Sequence, residues 1–252
     1  MSVASTQVAE AIRERGYALI PGLLSAAEIA CARSSLERLV HAVAPEQLYA
    51  PSSVTVARPE IAASFVLTPT GLTITGLQHV APEIAPLLLR DRLLSPLRAL
   101  LGDDLRLEAL GAAVSDRMRP FFGWHTHIDG EEEWTRMRAK RWPAKPTVER
   151  VIVVVYLDDL DDDGGPLLVL PRRVGDPTTP SHDTLARDWP GQVVLRPTAG
   201  TAVLLEQCTW HAAHSLRRAG HRMFVGGYFA TRESPTPAFA DATLDALLRG
   251  SL

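Results

Sequence analysis

Cysteine is scarce in this chain: Cys31 and Cys208 are the only two among 252 residues. Two isolated cysteines cannot build a disulfide framework, and such usage suits a reducing cytoplasm. Long hydrophobic runs are also missing, and none approaches the roughly 20 residues of a membrane span. Positive charge is not in excess. With 26 basic and 29 acidic residues the net charge is −3, which leaves no footprint for nucleic acid or an anionic membrane surface. The opening MSVASTQVAEAIRERG lacks a basic start followed by an apolar stretch, so no secretory signal is expected. There is no internal repeat, low-complexity block or long linker. What remains is an ordinary globular composition, 46% hydrophobic and 22% charged. The expectation is one cytoplasmic domain with a small-molecule partner, its oligomeric state left open.

Along the chain the character changes once. Residues 1–104 read as a mainly helical layer. Ser25 and Glu28 form a capping box, S-x-x-E, and Ile29, Leu36 and Val40 recur at helical spacing until Pro45. Residues 46–80 are ambiguous. Ser95-Pro96 reads as an N-cap and N1 proline, with Gly102 as the stop. Residues 105–232 read as short strands: LRLEAL, VIVVVYL, PLLVLP, QVVLRP, TAVLLE and RMFVGGYFA, broken by Pro, Gly and Asp. Strands so spaced, with no helices between them, predict a jelly roll, a mainly β fold with flanking helices. Residues 233–252 close the chain with a C-terminal helix.

The chemistry concentrates in GWHTHIDG, Gly123–Gly130. It holds an H-x-H pair, His125 and His127, and an H-x-D pair, His127 and Asp129. A lone H-x-[DE] is weak, since about one is expected by chance in a chain this rich in histidine and acids. In an extended segment, however, residues i and i+2 face the same way, so His125, His127 and Asp129 would share one side. A further ligand could come from TWHAAHSLRRAGHR, which carries His211, His214 and His221. The strand TAVLLE would deliver His211 near its end, and RMFVGGYFA would return beside it with Arg222 on the inner face. Two histidines and a carboxylate on one face of a metal form the facial triad of non-haem Fe(II) oxygenases. A nearby arginine suits a bidentate carboxylate.

These stretches, taken in order, resemble the phytanoyl-CoA hydroxylase-like (PhyH) family of Fe(II)/2-oxoglutarate-dependent dioxygenases. RGYALIPGLLSAAEI resembles the family's opening strand and helix, WHTHIDG its metal stretch, YLDDLDDDGGPLLVLP its hairpin, and AGTAVLLEQCTWH the strand before the distal histidine. The step from His211 to Arg222 is 222 − 211 = 11, the spacing this branch uses. The resemblance implies a double-stranded β-helix, a cupin-like jelly roll. It implies that His127, Asp129 and His211 ligate iron and that Arg222 holds the far carboxylate of 2-oxoglutarate. It further implies consumption of O₂, release of succinate and CO₂, and oxidation of a small molecule, as in specialised metabolism. Halogenating relatives lack the carboxylate, so Asp129 favours hydroxylation or a related oxidation. Arg172-Arg173 after Pro171, and His214-Ser215 in place of the usual asparagine, depart from the family pattern.

Other residues carry two readings. His125 could touch substrate or support a ligand from behind. Trp124 could do likewise or fill the core, and His214 is an alternative ligand. Trp134 sits in EEEWTRMRAKRWPAKP, 131–146, which reads either as a lid over the metal or as a solvated segment. Two rival functions follow from the same motif. H-x-H-x-D also resembles the first zinc motif of metallo-β-lactamase-type hydrolases, although the βαβα pattern of that fold is missing. A non-catalytic jelly-roll binding protein is the other.

Overall fold

A computed structural model describes residues 3–127, 145–178 and 180–250. Two antiparallel sheets face one another, and helices cover the outer side of the larger one. In chain order the elements are α1 (Val3–Arg15), β1 (Tyr17–Ile20), α2 (Ala26–Val43), β2 (Val54–Thr55), β3 (Ser64–Thr68) and β4 (Gly71–Thr75). Then come α3 (Leu77–Val80), α4 (Ala85–Leu88), α5 (Asp91–Leu101), β5 (Arg106–Ser115) and β6 (Phe122–His125). The chain continues through β7 (Arg150–Tyr156), β8 (Leu167–Val169), β9 (Val193–Leu195), β10 (Ala202–Glu206), β11 (His211–Ala213) and β12 (Arg222–Ala230). It closes with α6 (Ala242–Gly250). The large sheet runs β1-β10-β7-β12-β5-β4-β3-β2 and the small one β6-β11-β8-β9. This is the expected double-stranded β-helix.

The strand period sorts side chains between layers. On β10, Ala202 and Leu204 point into the helical layer, and Val203 and Leu205 point between the sheets. On β7, Val151, Val153 and Val155 face the helices, whereas Val154 and Tyr156 face the sandwich interior. Both faces of these strands are covered, which is why VIVVVYL reads as an unbroken apolar run. A third cluster, Trp124, Leu168, Trp189, Trp210 and Ala212, lies on the outer face of the small sheet.

The capping box forms: Ser25 Oγ accepts from the Glu28 amide, and Glu28 accepts from the Ser25 amide at 2.8 Å. Arg90 pairs with Glu28 at 2.7 Å and ties this helix start to the approach of α5. α2 ends at Val43, before Pro45, with Ala44 in the left-handed region. The expected start of α5 at Ser95-Pro96 is wrong. The helix begins at Asp91, because Leu93 and Leu94 are buried and both donate to the Arg90 carbonyl. Pro96 lies inside it, giving up one backbone bond while its ring packs in the core. Gly102 stops it as expected. The first 104 residues are less helical than their pattern suggests. They supply β1 to one edge of the large sheet and β2–β4 to the other, and the ambiguous 46–80 stretch holds those last three strands.

Candidate metal centre and anion pocket

β10 ends at Glu206, and the chain then turns sharply and switches sheets, so that His211 opens β11. The turn is fastened at each step. Glu206 accepts from the Cys208 amide at 2.9 Å, and Thr209 Oγ1 donates to the Gly16 carbonyl at 2.9 Å. The Thr209 carbonyl lies 2.9 Å from His211 Nδ1. A carbonyl can only accept, so the proton sits on Nδ1 and the Nε2 lone pair is left for other use. The same holds for His125, whose Nδ1 is 2.9 Å from the Gly123 carbonyl.

His125 ends β6 directly across the ladder from His211. His127, just past the strand, is held by its own amide, which donates to the Gln207 carbonyl at 3.0 Å. Gln207 is steadied in turn by Arg150, whose Nη1 donates to its side-chain oxygen at 3.1 Å. Arg150 and Glu108 form a buried two-bond pair at 2.6 and 3.2 Å. Tyr228 Oη sits 3.0 Å from His127 Nδ1.

The ligand atoms of His125, His127 and His211 lie within 4.8 Å of one another. The Nε2 atoms of His127 and His211 are 2.9 Å apart. Two neighbouring ligands on one ion, each bonded at about 2.1 Å, would stand about 3.0 to 3.4 Å apart, depending on the angle between them. Burial pushes the imidazole of His125 down to about 4, and His127 and His211 well below their usual range. Neutral imidazole is the form that binds a metal. The donor set therefore fits a divalent first-row ion such as iron, nickel or zinc.

The histidines line a cavity of about 220 Å³ between the sheets. Phe122, Ile152 and Phe224 give it apolar walls, and Thr70, Thr73 and Thr75 present hydroxyls. Gly111 and Gly226 face each other across the β5–β12 ladder and keep its floor clear. A Cβ on Gly226 would collide with the Val153 carbonyl. Arg222 reaches into the cavity, and its Nη2 donates to Tyr156 Oη at 3.1 Å.

The expected placement of Arg222 beside His211 on a neighbouring strand needs correction. Arg222 opens β12, whose partners are β5 and β7 in the large sheet, whereas His211 is in the small one. The two face one another across the sandwich, because residues 214–221 carry the chain from one sheet to the other. Trp124 points away from the cavity, donating to the Ala186 carbonyl at 3.0 Å and stacking on Trp189. His214 lies past the end of β11 against Phe121, apart from the three clustered histidines. Asp129, Trp134 and nearly all of the 131–146 segment lie outside the described residues. Tyr156, Tyr228 and Arg119 went unread in the sequence. Two were within reach: Arg222, Phe224, Gly226 and Tyr228 follow at period two and all face the cavity. So do Ile152, Val154 and Tyr156.

The family model for phytanoyl-CoA dioxygenase (PhyH) matches residues 12–224. No curated protein matches the sequence. Among solved structures, HygX from Streptomyces hygroscopicus, with nickel and 2-oxoglutarate bound, is similar at 17% identity and a TM-score of 0.63, covering 94% of this chain and 89% of that one. The non-heme alpha ketoglutarate dependent epimerase SnoN from nogalamycin biosynthesis is similar at 20% identity and a TM-score of 0.63, covering 96% and 88%. The carbocyclase SnoK, from the same biosynthesis, is similar at 18% identity and a TM-score of 0.62, covering 94% and 87%. No helix among the described residues is long and apolar enough to cross a membrane.

Proposed function

Because the chain belongs to the phytanoyl-CoA dioxygenase (PhyH) family, we propose that it is a non-haem Fe(II)/2-oxoglutarate-dependent dioxygenase that hydroxylates, or otherwise oxidises, a small molecule in specialised metabolism. The observation that carries this reading is the opposition of two groups across one cavity. On one side the Nε2 atoms of His127 and His211 converge at 2.9 Å, and on the other stands the buried Arg222 guanidinium. That is the layout needed to hold a keto acid by a metal at one end and a cation at the other. In this reading Asp129, two residues after His127, is the third ligand.

When bound, ferrous iron would couple loss of CO₂ from 2-oxoglutarate to oxidation of a substrate C–H bond by O₂. The chain's own residues do the positioning. Arg222, braced by Tyr156, anchors the far carboxylate. Thr209 and Gly123 fix the tautomers of His211 and His125, and Tyr228 orients His127. Phe122, Ile152 and Phe224 keep the space dry. A small-molecule substrate accords with the cavity's size, and HygX and SnoN have been crystallised with hygromycin B and nogalamycin RO respectively.

A second reading follows from the three-histidine cluster. His125 would then supply the third donor in place of Asp129. Comparing Asp129→Asn with His125→Ala separates the two: the variant that loses Fe(II), measured by metal content after anaerobic loading, carries the true third ligand. The test of the function as a whole is succinate formation from 2-oxoglutarate by the Fe(II)-loaded protein. No succinate formation, and no binding of 2-oxoglutarate, would refute it. Among the described residues the antiparallel double-sheet fold has none of the βαβα layering that a metallo-β-lactamase-type hydrolase requires.

A further inference from the structure

The cavity holds a second guanidinium that neither the sequence motifs nor the family spacing accounts for. Arg119 is 1% exposed and lines the same cavity as Arg222. Its position follows from the fold. Ser115, the last residue of β5, is paired directly with Arg222, and a turn closed by the Arg119 amide on the Asp116 carbonyl brings Arg119 back over that pair. Its Nη1 donates to the Pro120 carbonyl at 3.1 Å and its Nη2 to the His214 carbonyl at 2.6 Å, while Nε has no partner. Arg222 is also buried and spends one donor on Tyr156, leaving its Nε without a partner. Each guanidinium has five N–H donors, so among the described residues most of the ten are unused. Among the described residues no carboxylate pairs with either.

Two buried like charges beside neutral histidines are a costly arrangement, since a buried charge is normally paired. Burial and the nearby Arg222 push Arg119 down to about 9. The Tyr156 hydroxyl, which also lines the cavity, accepts from Arg222 at 3.1 Å. An anion accepting from both guanidiniums would offset that cost.

We propose that Arg119 and Arg222 together clasp one carboxylate, the far carboxylate of the 2-oxo acid, and so make this site selective for a dicarboxylate over a monocarboxylate of the same length. This rests on the 2-oxoglutarate reading given above and deepens it. Arg119 acts as a co-substrate-binding residue that also fastens the β5–β6 connection to the His214 carbonyl.

Calorimetric titration of the nickel-loaded protein with 2-oxoglutarate and with 2-oxopentanoate, which lacks the second carboxylate, tests it without turnover. Arg119→Gln is expected to weaken 2-oxoglutarate about tenfold or more, as loss of charge-assisted bonds does, and to leave 2-oxopentanoate within about twofold. Arg119→Lys restores part of the loss. Unchanged 2-oxoglutarate affinity in Arg119→Gln overturns the proposal, and so does equal weakening of both acids, the mark of a purely structural arginine. Should Arg119→Gln fail to fold, a crystal structure of the unaltered protein with nickel and 2-oxoglutarate decides. The far carboxylate within hydrogen-bond reach of both guanidiniums supports the clasp, and contact with Arg222 alone overturns it. Failure of the unaltered protein to bind 2-oxoglutarate would instead overturn the dioxygenase reading, and the clasp with it.

Discussion

His125 lies directly across the β6–β11 ladder from His211, with ring centroids 4.1 Å apart. The pairing means that two potential donors are set by sheet register rather than by a loop, and register is among the most strongly specified features of a half-buried strand. The site should therefore be preformed. Addition of Ni(II) is expected to raise the Tm of the protein, by the equivalent of about 2.7 kcal/mol at a hundredfold excess over Kd. The rise should vanish in His211→Ala and in His127→Ala. A differential scanning measurement on the three proteins checks it.

Tyr228 is predicted to tune the metal from behind. Its hydroxyl meets Nδ1 of His127 at 3.0 Å, and such supporting contacts are typically worth 10- to 100-fold in metal affinity. Tyr228→Phe keeps the ring and its packing, so stability should fall by no more than about 1 kcal/mol. Competition for Ni(II) against a chelator should show the loss of affinity, with the thermal transition of the metal-free protein shifted by no more than about 4 °C as control.

Glu108 is pinned between Arg106 at 2.8 Å and Arg150 at 2.6 Å, and its side chain is almost wholly buried. Removing one partner strands the other, a change that costs about 3–5 kcal/mol in buried pairs. Glu108→Ala should lose stability of that order in urea unfolding. Because Arg150 carries Gln207, and Gln207 accepts from the His127 amide, the same variant should also bind metal more weakly than its residual folded fraction explains.

Glu206 gives the fold a pH dependence of known sign. Burial pushes its carboxyl up to about 7 from an ordinary 4.5, against the opposing pull of the Cys208 amide. The folded chain thus keeps a proton that the unfolded chain gives up. Stability from this group is full below about pH 4.5, declines as pH rises towards 7, and levels off above. The loss is on the order of 3 kcal/mol. Glu206→Gln should remove the decline, matching the parent at pH 4 and exceeding it at pH 8 in denaturant midpoints.

Gly226 is expected to tolerate no side chain. Gly226→Ala drives a methyl into the Val153 carbonyl of the neighbouring strand, and overpacking of this kind costs about 1–3 kcal/mol. Chemical denaturation, together with 2-oxoglutarate titration of the folded fraction, would register both the strain and the narrowed cavity.

The strands of the jelly roll were legible because their apolar runs are continuous and sharply bounded. RMFVGGYFA coincides with β12, and the Ser25 capping box with the start of α2. The start of the α5 helix was not, because a buried Pro96 mimics a start signal that tertiary packing overrides. His127, His211 and Arg222 line one cavity. Which sheet each belongs to was hidden, since a chain crossing between sheets over residues 214–221 leaves no pattern of its own. Arg119 was invisible for a related reason: in SDRMRP it looks like any surface arginine, and only the turn after Ser115 folds it inward.

The division of the cavity between two sheets has a mechanical corollary. The metal-side histidine His211 rides on the short sheet and the anion-side arginine on the long one. A ligand gripped at both ends would therefore act as a rivet through the sandwich. Amide protons of β11 and β12, far apart in hydrogen-bond connectivity, should then exchange more slowly in concert once it is seated.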